Sequence, residues 1–420
     1  MTVKVTLPVW LEEDKQFHFA AYQQQGLPTR RDECFKYADV SFMKRQTLTA
    51  SCKREEPERL RALIKQHRLP EGESVLLVSV NGRFVPALSE QEKLPEGLVA
   101  TGLQQAFVKH PDLIKAHWPT RMASTNYPFA CLGAAAFEDG LFVHVPDNFR
   151  LAIPLHILSL VTDDQAFTAH ARQIVVLGKH SQLIMVEEYR ALTTAAYMTN
   201  KVSTLTLNEG ANLQHFKLQR EGFDAAHLAA TFVYQQKRSN ADFVNITTGG
   251  LFSRDDLVVK LQEPGVDCHV SGFYQLSHDG QYVDHHVDIS HEAARSKSEM
   301  LYKGTLNHRS RVVFNGRLHV APDAQKILAH QANHNLLLSD TAEVYSKPEL
   351  EIYADDVKCQ HGATMGQLNQ DALFYMCSRG ISHHEALQIL LRGFSEEVTR
   401  RIAYSGIRRQ VEAQLQMAEG

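Results

Sequence analysis

The sequence predicts a mainly β fold in which a long solenoid of strands lies between two helical regions. Short alternating segments rich in Val, Ile, Leu, Phe and Thr follow one another from about Tyr127 to Met365, with almost no helical stripe. Similar segments, each an apolar residue, a polar turn and a new strand, begin at Leu177, Leu207 and Leu261. The last two begin 54 residues apart, which fits a whole number of shorter turns. Such repetition is typical of a solenoid, in which each turn buries its apolar face on the next.

A β-sandwich also has strands at regular spacing, but roughly 240 residues of strand would make it oversized. A β-helix only adds turns. With about 20 residues in each turn, roughly eleven or twelve turns would stack at ~4.8 Å into a rod about 55 Å long. We therefore expect a parallel β-helix core over residues 121–366.

Residues 1–120 are predicted to form a mostly helical N-terminal region with a short hairpin. The apolar residues of Arg54 to His67 share one helical face, and Leu98 to His117 repeats such a stripe. Between them, Asn81-Gly82 is predicted as the turn of a hairpin over Ser74 to Leu88.

Residues 367–420 are predicted to form a C-terminal helical domain. Asn369 to Arg379 has a helical period, and Gly380 ends it. Ser382 to Glu385 is a capping box that opens a helix predicted to end at Gly393. Two further short helices are predicted, Glu396 to Tyr404 and Ile407 to Met417.

Composition excludes several classes of function. The 44 Lys and Arg against 48 Asp and Glu give a formal charge of −4, so no global basic field for nucleic acid exists. No apolar run approaches the roughly 20 residues that span a bilayer, and residues 1–16 contain no signal-like block. We expect a cytoplasmic protein that binds neither nucleic acid nor membranes.

Six cysteines are too sparse for a disulfide framework, and none form a Cys-x-x-Cys pair. Reduced thiols are therefore expected, and Cys34, Cys52, Cys131 and Cys377 are predicted to be small buried hydrophobes. The sequence also contains no P-loop and no Gly-x-Gly-x-x-Gly, Gly-x-Ser-x-Gly or His-Glu-x-x-His motif. An enzyme with a standard motif is not expected.

Cys359 and His361 are the candidate metal ligands. In Glu349 to Ala354 the even positions are predicted to face the core, and this alternation places Cys359 and His361 together on the outward face. Zinc prefers four ligands and iron-sulfur clusters usually have about four, so this pair needs donors from other turns or another chain. The alternative is a packed thiol beside a surface imidazole.

A second histidine cluster comprises His285, His286 and His291, with Asp288 between them. On a strand, His286 and Asp288 share one face and His285 shares the other with apolar residues. Imidazole and carboxylate suit several metals, but solvated histidines on the outside of a rod have the same sequence pattern.

Two stretches carry a resemblance to a known family. Lys358 to Thr364, Lys-Cys-Gln-His-Gly-Ala-Thr, followed by Leu373 to Ile381, resembles the C-terminal signature of the SufB/SufD family of the Suf iron-sulfur cluster assembly system. Gly26 to Tyr37 resembles the family's N-terminal motif. The likeness covers most of the chain and is strongest from about Gly249 onward. Cys-x-His-Gly is similar to the SufD branch, whereas the longer SufB paralogue typically carries Glu-His-Glu.

The resemblance implies a right-handed parallel β-helix between helical ends. It implies a non-catalytic scaffold that pairs with a SufB-like paralogue, is bound by a SufC-like ATPase, and helps iron acquisition and nascent cluster assembly. Cys359 and His361 would lie at the junction with the paralogue and hold iron or an iron-sulfur cluster transiently. The ATPase would contact these C-terminal residues: Leu373, Phe374, Tyr375, Arg379, Gly380, Ile381, Leu387, Leu390 and Phe394.

Two alternatives from other classes stay open. A β-helix carbohydrate-active enzyme would need two carboxyl groups about 5 to 10 Å apart, and Asp284, Asp288 and Glu292 are the candidate trio. A metal-free structural homodimer is the third reading, because the sequence leaves open whether the isolated chain pairs with itself.

Overall fold

The computed structural model describes residues 8–44, 57–69, 73–119 and 127–417. These residues form α-helices at both ends of a long β region. The helices are Val9–Gln25 (α1), Pro57–His67 (α2), Leu103–Lys109 (α3), Pro111–Ala116 (α4), Pro128–Ala136 (α5), Gln370–Ser378 (α6), His383–Thr399 (α7) and Ser405–Met417 (α8). Short 3-10 helices are Glu33–Phe35, Ser41–Lys44, Pro86–Leu88 and Gln91–Lys93.

Strands make up the rest of the regular structure. The first ten are Val75–Val80 (β1), Arg83–Phe84 (β2), Val99–Gly102 (β3), Asp139–Val145 (β4), Leu155–Val161 (β5), Phe167–Leu177 (β6), Gln182–Ala191 (β7), Tyr197–Leu207 (β8), Asn212–Arg220 (β9) and Ala225–Gln235 (β10). The remaining ones are Asn240–Thr247 (β11), Phe252–Leu261 (β12), Asp267–Leu276 (β13), Tyr282–His291 (β14), Lys297–Leu306 (β15), Arg311–Val320 (β16), Ile327–Leu337 (β17), Glu343–Ile352 (β18) and Val357–Gln367 (β19).

The strands form two sheets that face each other in a parallel β-helix of about eight turns. From β4 onward each strand pairs in parallel with the strand two places along the chain. The even strands with β3 build a nine-stranded sheet, and the odd strands with β1 and β2 build a ten-stranded sheet. Consecutive strands therefore alternate between the sheets, and one turn contains one strand of each. The fold class predicted from the sequence is confirmed.

The predicted size of a turn is wrong. Register partners from β6 onward lie 26 to 32 residues apart, as in Ala226 with Phe252 and Arg311 with Glu343, and not about 20. The strands are longer than expected, commonly ten or eleven residues. The repeat from Leu207 to Leu261 is nevertheless a whole number of turns, because Gln235 pairs with both residues.

The interior between the sheets is the main hydrophobic core. In β12, for example, Leu257, Val259 and Leu261 point into this core, as the two-residue period of a strand requires. Outside the sheets, smaller apolar clusters hold the helices. Val398, Ile402 and other residues of the C-terminal helices are buried against the outer face of the ten-stranded sheet.

The N-terminal region joins the solenoid directly. The hairpin over β1 and β2 has the predicted Asn81-Gly82 turn, with φ of 50° and 81°, and β1 pairs in parallel with β5. The stripe predicted over Leu98 to His117 is partly wrong, because it begins with β3 and a break at His110 separates α3 from α4. The predicted division at residues 120 and 366 stays a prediction.

The C-terminal helices begin as predicted but end differently. The Asn369 side chain caps α6, and Gly380 follows it with φ of 89°. Ser382 and Glu385 form the complete capping box of α7. The predicted end at Gly393 is wrong, because α7 continues to Thr399 and includes the start of the next predicted helix.

No helix among the described residues is long and apolar enough to cross a membrane. Of the cysteines predicted to be buried, Cys131 is buried, Cys377 is half-buried and Cys34 is exposed. Cys52 lies outside the described residues.

Candidate functional site: the open end of the solenoid

The solenoid ends in two strands that each pair on one side. Within the described part of the chain, β18 pairs with β16 alone and β19 with β17 alone. No residue of either strand is fully buried. We call β18 and β19 together the open end. An unpaired edge of this kind presents backbone N–H and C=O groups to another chain.

Cys359 lies in β19 on the face that points into the solenoid. Its register partner one turn earlier is Ala329, which is buried in the main core, and the half-buried Cys359 packs against the same core. Burial raises the pKa of the Cys359 thiol, although a hydrogen bond with the backbone of Ala329 opposes this. The thiol is therefore protonated at neutral pH, and a metal ion that binds there must displace the proton.

His361 shares this inward face but is exposed. Its register partner is Gln331, which is fully buried in the preceding turn, whereas among the described residues no further turn covers His361. The prediction that Cys359 and His361 share a face is correct, but the outward face is wrong. The inward-facing positions are even-numbered in β18 and odd-numbered in β19, because the turn at residues 353–356 shifts the alternation by one residue.

Cys359 and His361 supply a sulfur and a nitrogen donor, which form half of a metal site at most. Among the described residues, no group of three or more His, Cys, Asp or Glu side chains is arranged to hold a metal ion.

An exposed apolar patch lies on the helices that follow β19. Phe374 and Tyr375 on α6 are 75% and 63% exposed, and Ile389 on α7 is 51% exposed. The sequence pointed to the first two but not to Ile389. Exposed large apolar side chains on neighbouring helices are typical of a surface that binds another protein.

The other predicted partner-binding residues have different environments. Leu373 is buried beneath α6. Phe394 lies against the ring of Phe273 at 6.4 Å, with the Lys303 ammonium 4.3 Å from its own ring, so it anchors α7 to the solenoid. The remainder are exposed or half-buried: Arg379, Gly380, Ile381, Leu387 and Leu390.

Comparison with known families now decides the class of this chain. Residues 160–394 match the family described as SUF system FeS cluster assembly, SufBD core domain, and residues 3–157 match the SufBD protein N-terminal region. The chain belongs to the SufBD family of iron-sulfur cluster assembly proteins.

Individual SufBD relatives are similar over most of the chain. An iron-sulfur cluster assembly SufBD family protein of Synechocystis is 30% identical over 390 residues, covering 91% of this chain and 85% of that protein. The iron-sulfur cluster assembly protein SufD of Escherichia coli is 29% identical over 403 residues, covering 95% and 91%. Protein ABCI7, chloroplastic, of Arabidopsis thaliana is 28% identical over 396 residues, covering 91% and 81%.

The second histidine cluster of this SufBD chain is dispersed. His285 points inward with its ring 5.7 Å from that of Tyr274, and burial lowers its pKa to about 4. His286 points outward, with Nε2 2.8 Å from Asp284 Oδ1. His291 is buried between two serine hydroxyl groups at 2.8 and 2.9 Å. These histidines have structural partners and do not form a common metal site.

The candidate acids of the carbohydrate-active alternative are each paired with a cation. A glycosidase needs one carboxyl group with a raised pKa. Burial alone would raise the pKa of Asp284, but the Arg254 guanidinium, together with His286 and His285, outweighs burial and lowers it. The ion pairs are Asp284 with Arg254 at 2.8 Å, Asp288 with Arg317 at 2.8 Å, and Glu292 with Lys260 at 3.9 Å. This arrangement disfavours glycoside hydrolysis.

Sequence reasoning missed the charged pairs inside this SufBD solenoid. Lys201 Nζ lies 3.0 Å from Glu187 Oε2, and Lys217 Nζ lies 3.0 Å from Asp255 Oδ2. Burial alone would raise the pKa of Glu187, yet Lys201, together with His215 and Gln173, holds it well below its usual range. The sequence did indicate that Glu187 points inward, because it lies two residues from the inward-facing Met185 in β7.

Proposed function

We propose that this protein is a non-catalytic scaffold subunit of an iron-sulfur cluster assembly complex. It pairs through its open end with a SufB-like paralogue, and α6 with the start of α7 binds a SufC-like ATPase. The single observation that carries the proposal is the open end, where each of two edge strands has one side unpaired among the described residues and β19 presents Cys359 and His361 beside a half-covered core. The family match supports the same role.

The open end accounts for the incomplete metal site. Iron or a nascent cluster is cargo that is held briefly, so a permanent set of four ligands from one chain would hinder its release. A thiol and an imidazole from this subunit, completed by donors of the paralogue, give a site that exists only in the assembled complex. Both ligands must be deprotonated to bind, so their hold on iron weakens as pH falls.

The exposed patch on α6 and α7 is the surface that binds the ATPase subunit. Because that subunit binds the nucleotide, this chain needs no P-loop of its own, and its sequence contains none. Nucleotide chemistry resides in the ATPase subunit, and Phe374 and Tyr375 are the side chains that it covers. Movement of that subunit during its ATP cycle is transmitted through α7, which is fixed to the solenoid by the ion pair of Lys303 with Glu397 at 2.9 Å.

Co-purification with the ATPase subunit tests this surface. In cells that express all three subunits, Phe374→Asp and Tyr375→Asp are expected to release the ATPase while the paralogue stays bound. Each change places a charge in an apolar contact and weakens binding by about 2 kcal/mol or more, which is roughly thirty-fold. Point variants are preferable to deleting residues 369–420, because α7 and α8 bury core residues such as Val398.

Phe19→Asp is the matched control, since Phe19 is an aromatic residue of α1 that is 49% exposed. It is expected to retain both partners. The proposal for the C-terminal helices is wrong if the ATPase co-purifies equally with the Phe374, Tyr375 and Phe19 variants.

A further inference from the structure

The N-terminal motif lies along the outer face of the nine-stranded sheet. Gly26 ends α1 with φ of 72°, and the chain then crosses the solenoid. Phe35 is 3% exposed in an apolar cluster with Met198 on β8 and Phe252 on β12. Its ring also meets that of Phe129 at 5.6 Å. The segment is therefore fixed to the middle turns.

Arg254 anchors the segment at this point. Its Nη1 donates to the backbone oxygen of Cys34 at 2.9 Å, and its guanidinium lies 4.0 Å from the centre of the Phe35 ring. The guanidinium is fully buried between Asp256 and Asp284, each at 2.8 Å. Charge-assisted hydrogen bonds of this kind are strong and directional, so they fix the backbone at Cys34 on the sheet.

Two side chains beside the anchor reach the last strand of the sheet. Glu33 Oε1 lies 2.7 Å from Lys347 Nζ. The rings of Tyr37 and Tyr345 are stacked, with centroids 4.1 Å apart and planes at 17°. Lys347 and Tyr345 both belong to β18, so the N-terminal segment connects the middle turns to the open end.

β18 is a strand that needs such support. In the part of the chain that the structure describes, it pairs with β16 alone, and none of its ten residues is buried. Terminal strands with few buried contacts open more readily than internal strands. An edge that frays presents its backbone groups in no fixed register, so it is a poor surface for pairing with another chain.

We propose that the segment Glu33 to Tyr37 is a clamp that holds β18 in place and keeps the open end ordered. This inference rests on the proposed function in one respect only, namely that β18 lies at the open end where the paralogue binds. The stack of Tyr37 on Tyr345 contributes more than the ion pair, because Glu33 is largely exposed and exposed ion pairs contribute little. The clamp gives the N-terminal motif a physical role.

Hydrogen–deuterium exchange of the isolated full chain tests the clamp. The double variant Glu33→Gln with Tyr37→Ala leaves the sequence of β18 and the Arg254 anchor unchanged. Backbone amides of β18 are expected to exchange roughly two- to ten-fold faster than in the unsubstituted chain, the range that corresponds to losing one aromatic contact. Amides of β10, in the middle of the same sheet, are expected to keep their protection.

Arg30→Gln is the matched control, because Arg30 lies in the same N-terminal motif just before the clamp. Among the described residues it pairs with Asp39 at 3.6 Å and makes no ion pair with β18. Its exchange is expected to equal that of the unsubstituted chain. Unchanged protection of β18 in the double variant would overturn the clamp. So would equal acceleration of β18 and β10, since the segment would then stabilise the whole sheet. Because the test uses the isolated chain, its failure is separate from a failure of partner binding.

Discussion

At the scale of single residues, His291 links the packing of the solenoid to pH. Its ring is buried, and both ring nitrogens lie within 2.9 Å of serine hydroxyl groups. Burial, with a smaller contribution from His319, lowers its pKa from 6.5 to about 4. The folded chain therefore holds this imidazole neutral at pH values where the unfolded chain would protonate it.

The sign of the resulting pH dependence follows from linkage. Between pH 6.5 and 4 the unfolded chain binds more protons at His291, so stability is complete above pH 6.5 and falls as pH decreases towards 4. The lowered pKa corresponds to about 3 kcal/mol at the acid end of this range. Urea unfolding is expected to show His291→Gln losing less stability than the unsubstituted chain between pH 8 and pH 4. Equal losses would contradict the buried neutral imidazole.

The sequence predicts which side chains share a face of a strand, because this depends only on their spacing. Two positions apart on a strand, Cys359 and His361 had to share a face, and they do. Which face they share depends on where β18 ends and β19 begins, and the turn that resets the phase has no distinct sequence signal. The partners of buried charges such as Lys217 come from a strand one or more turns away, which local pattern cannot specify.

At the scale of elements, local helix propensity and packing favour different ends for α7. Gly393 lies in the middle of a 17-residue helix, where glycine costs about 1 kcal/mol relative to alanine. Apart from its chain neighbours and the backbone of its own helix, no atom of the described residues lies within 4 Å of the position that a Cβ would take. Local propensity predicted an end at Gly393, and packing of the following turn against the solenoid carried the helix through it.

Gly393→Ala is therefore expected to stabilise the chain by about 0.5 to 1 kcal/mol, measured as a higher urea midpoint with an unchanged slope. Gly304→Ala is the contrasting variant. A Cβ there would collide with the ring of Tyr274, and overpacking of this kind costs about 1 to 3 kcal/mol. A lower midpoint for Gly393→Ala would show that this glycine is needed for packing.

Elements with local signals were predictable, and elements defined by pairing were less so. The capping box at Ser382 and the Asn81-Gly82 turn are short-range chemistry and form as expected. The length of a solenoid turn depends on how two strands and two bends close around the core. Counting alternating segments could not reveal that each turn contains two strands of about ten residues.

At the scale of the whole molecule, the two ends of the solenoid are different. At the first end, the antiparallel strands β2 and β3 pair with β1 and β4, and Phe84 of β2 and Ala100 of β3 are buried in the main core. At the other end, β18 and β19 leave the inward-facing column of Cys359 and His361 uncovered. A solenoid with an uncovered last turn is suited to continue into another protein, and the proposed scaffold function uses this asymmetry.

The central claim is that Cys359 and His361 hold iron or a nascent cluster at the open end once the paralogue completes the site. The most direct measurement is the iron and acid-labile sulfide content of the complex co-expressed with the paralogue and ATPase subunits. We expect Cys359→Ala and His361→Ala each to lower both contents roughly ten-fold or more. His330→Ala, an exposed histidine one turn earlier on β17, is expected to match the unsubstituted complex. Unchanged iron and sulfide in the Cys359 and His361 variants, with the complex intact, would contradict the account.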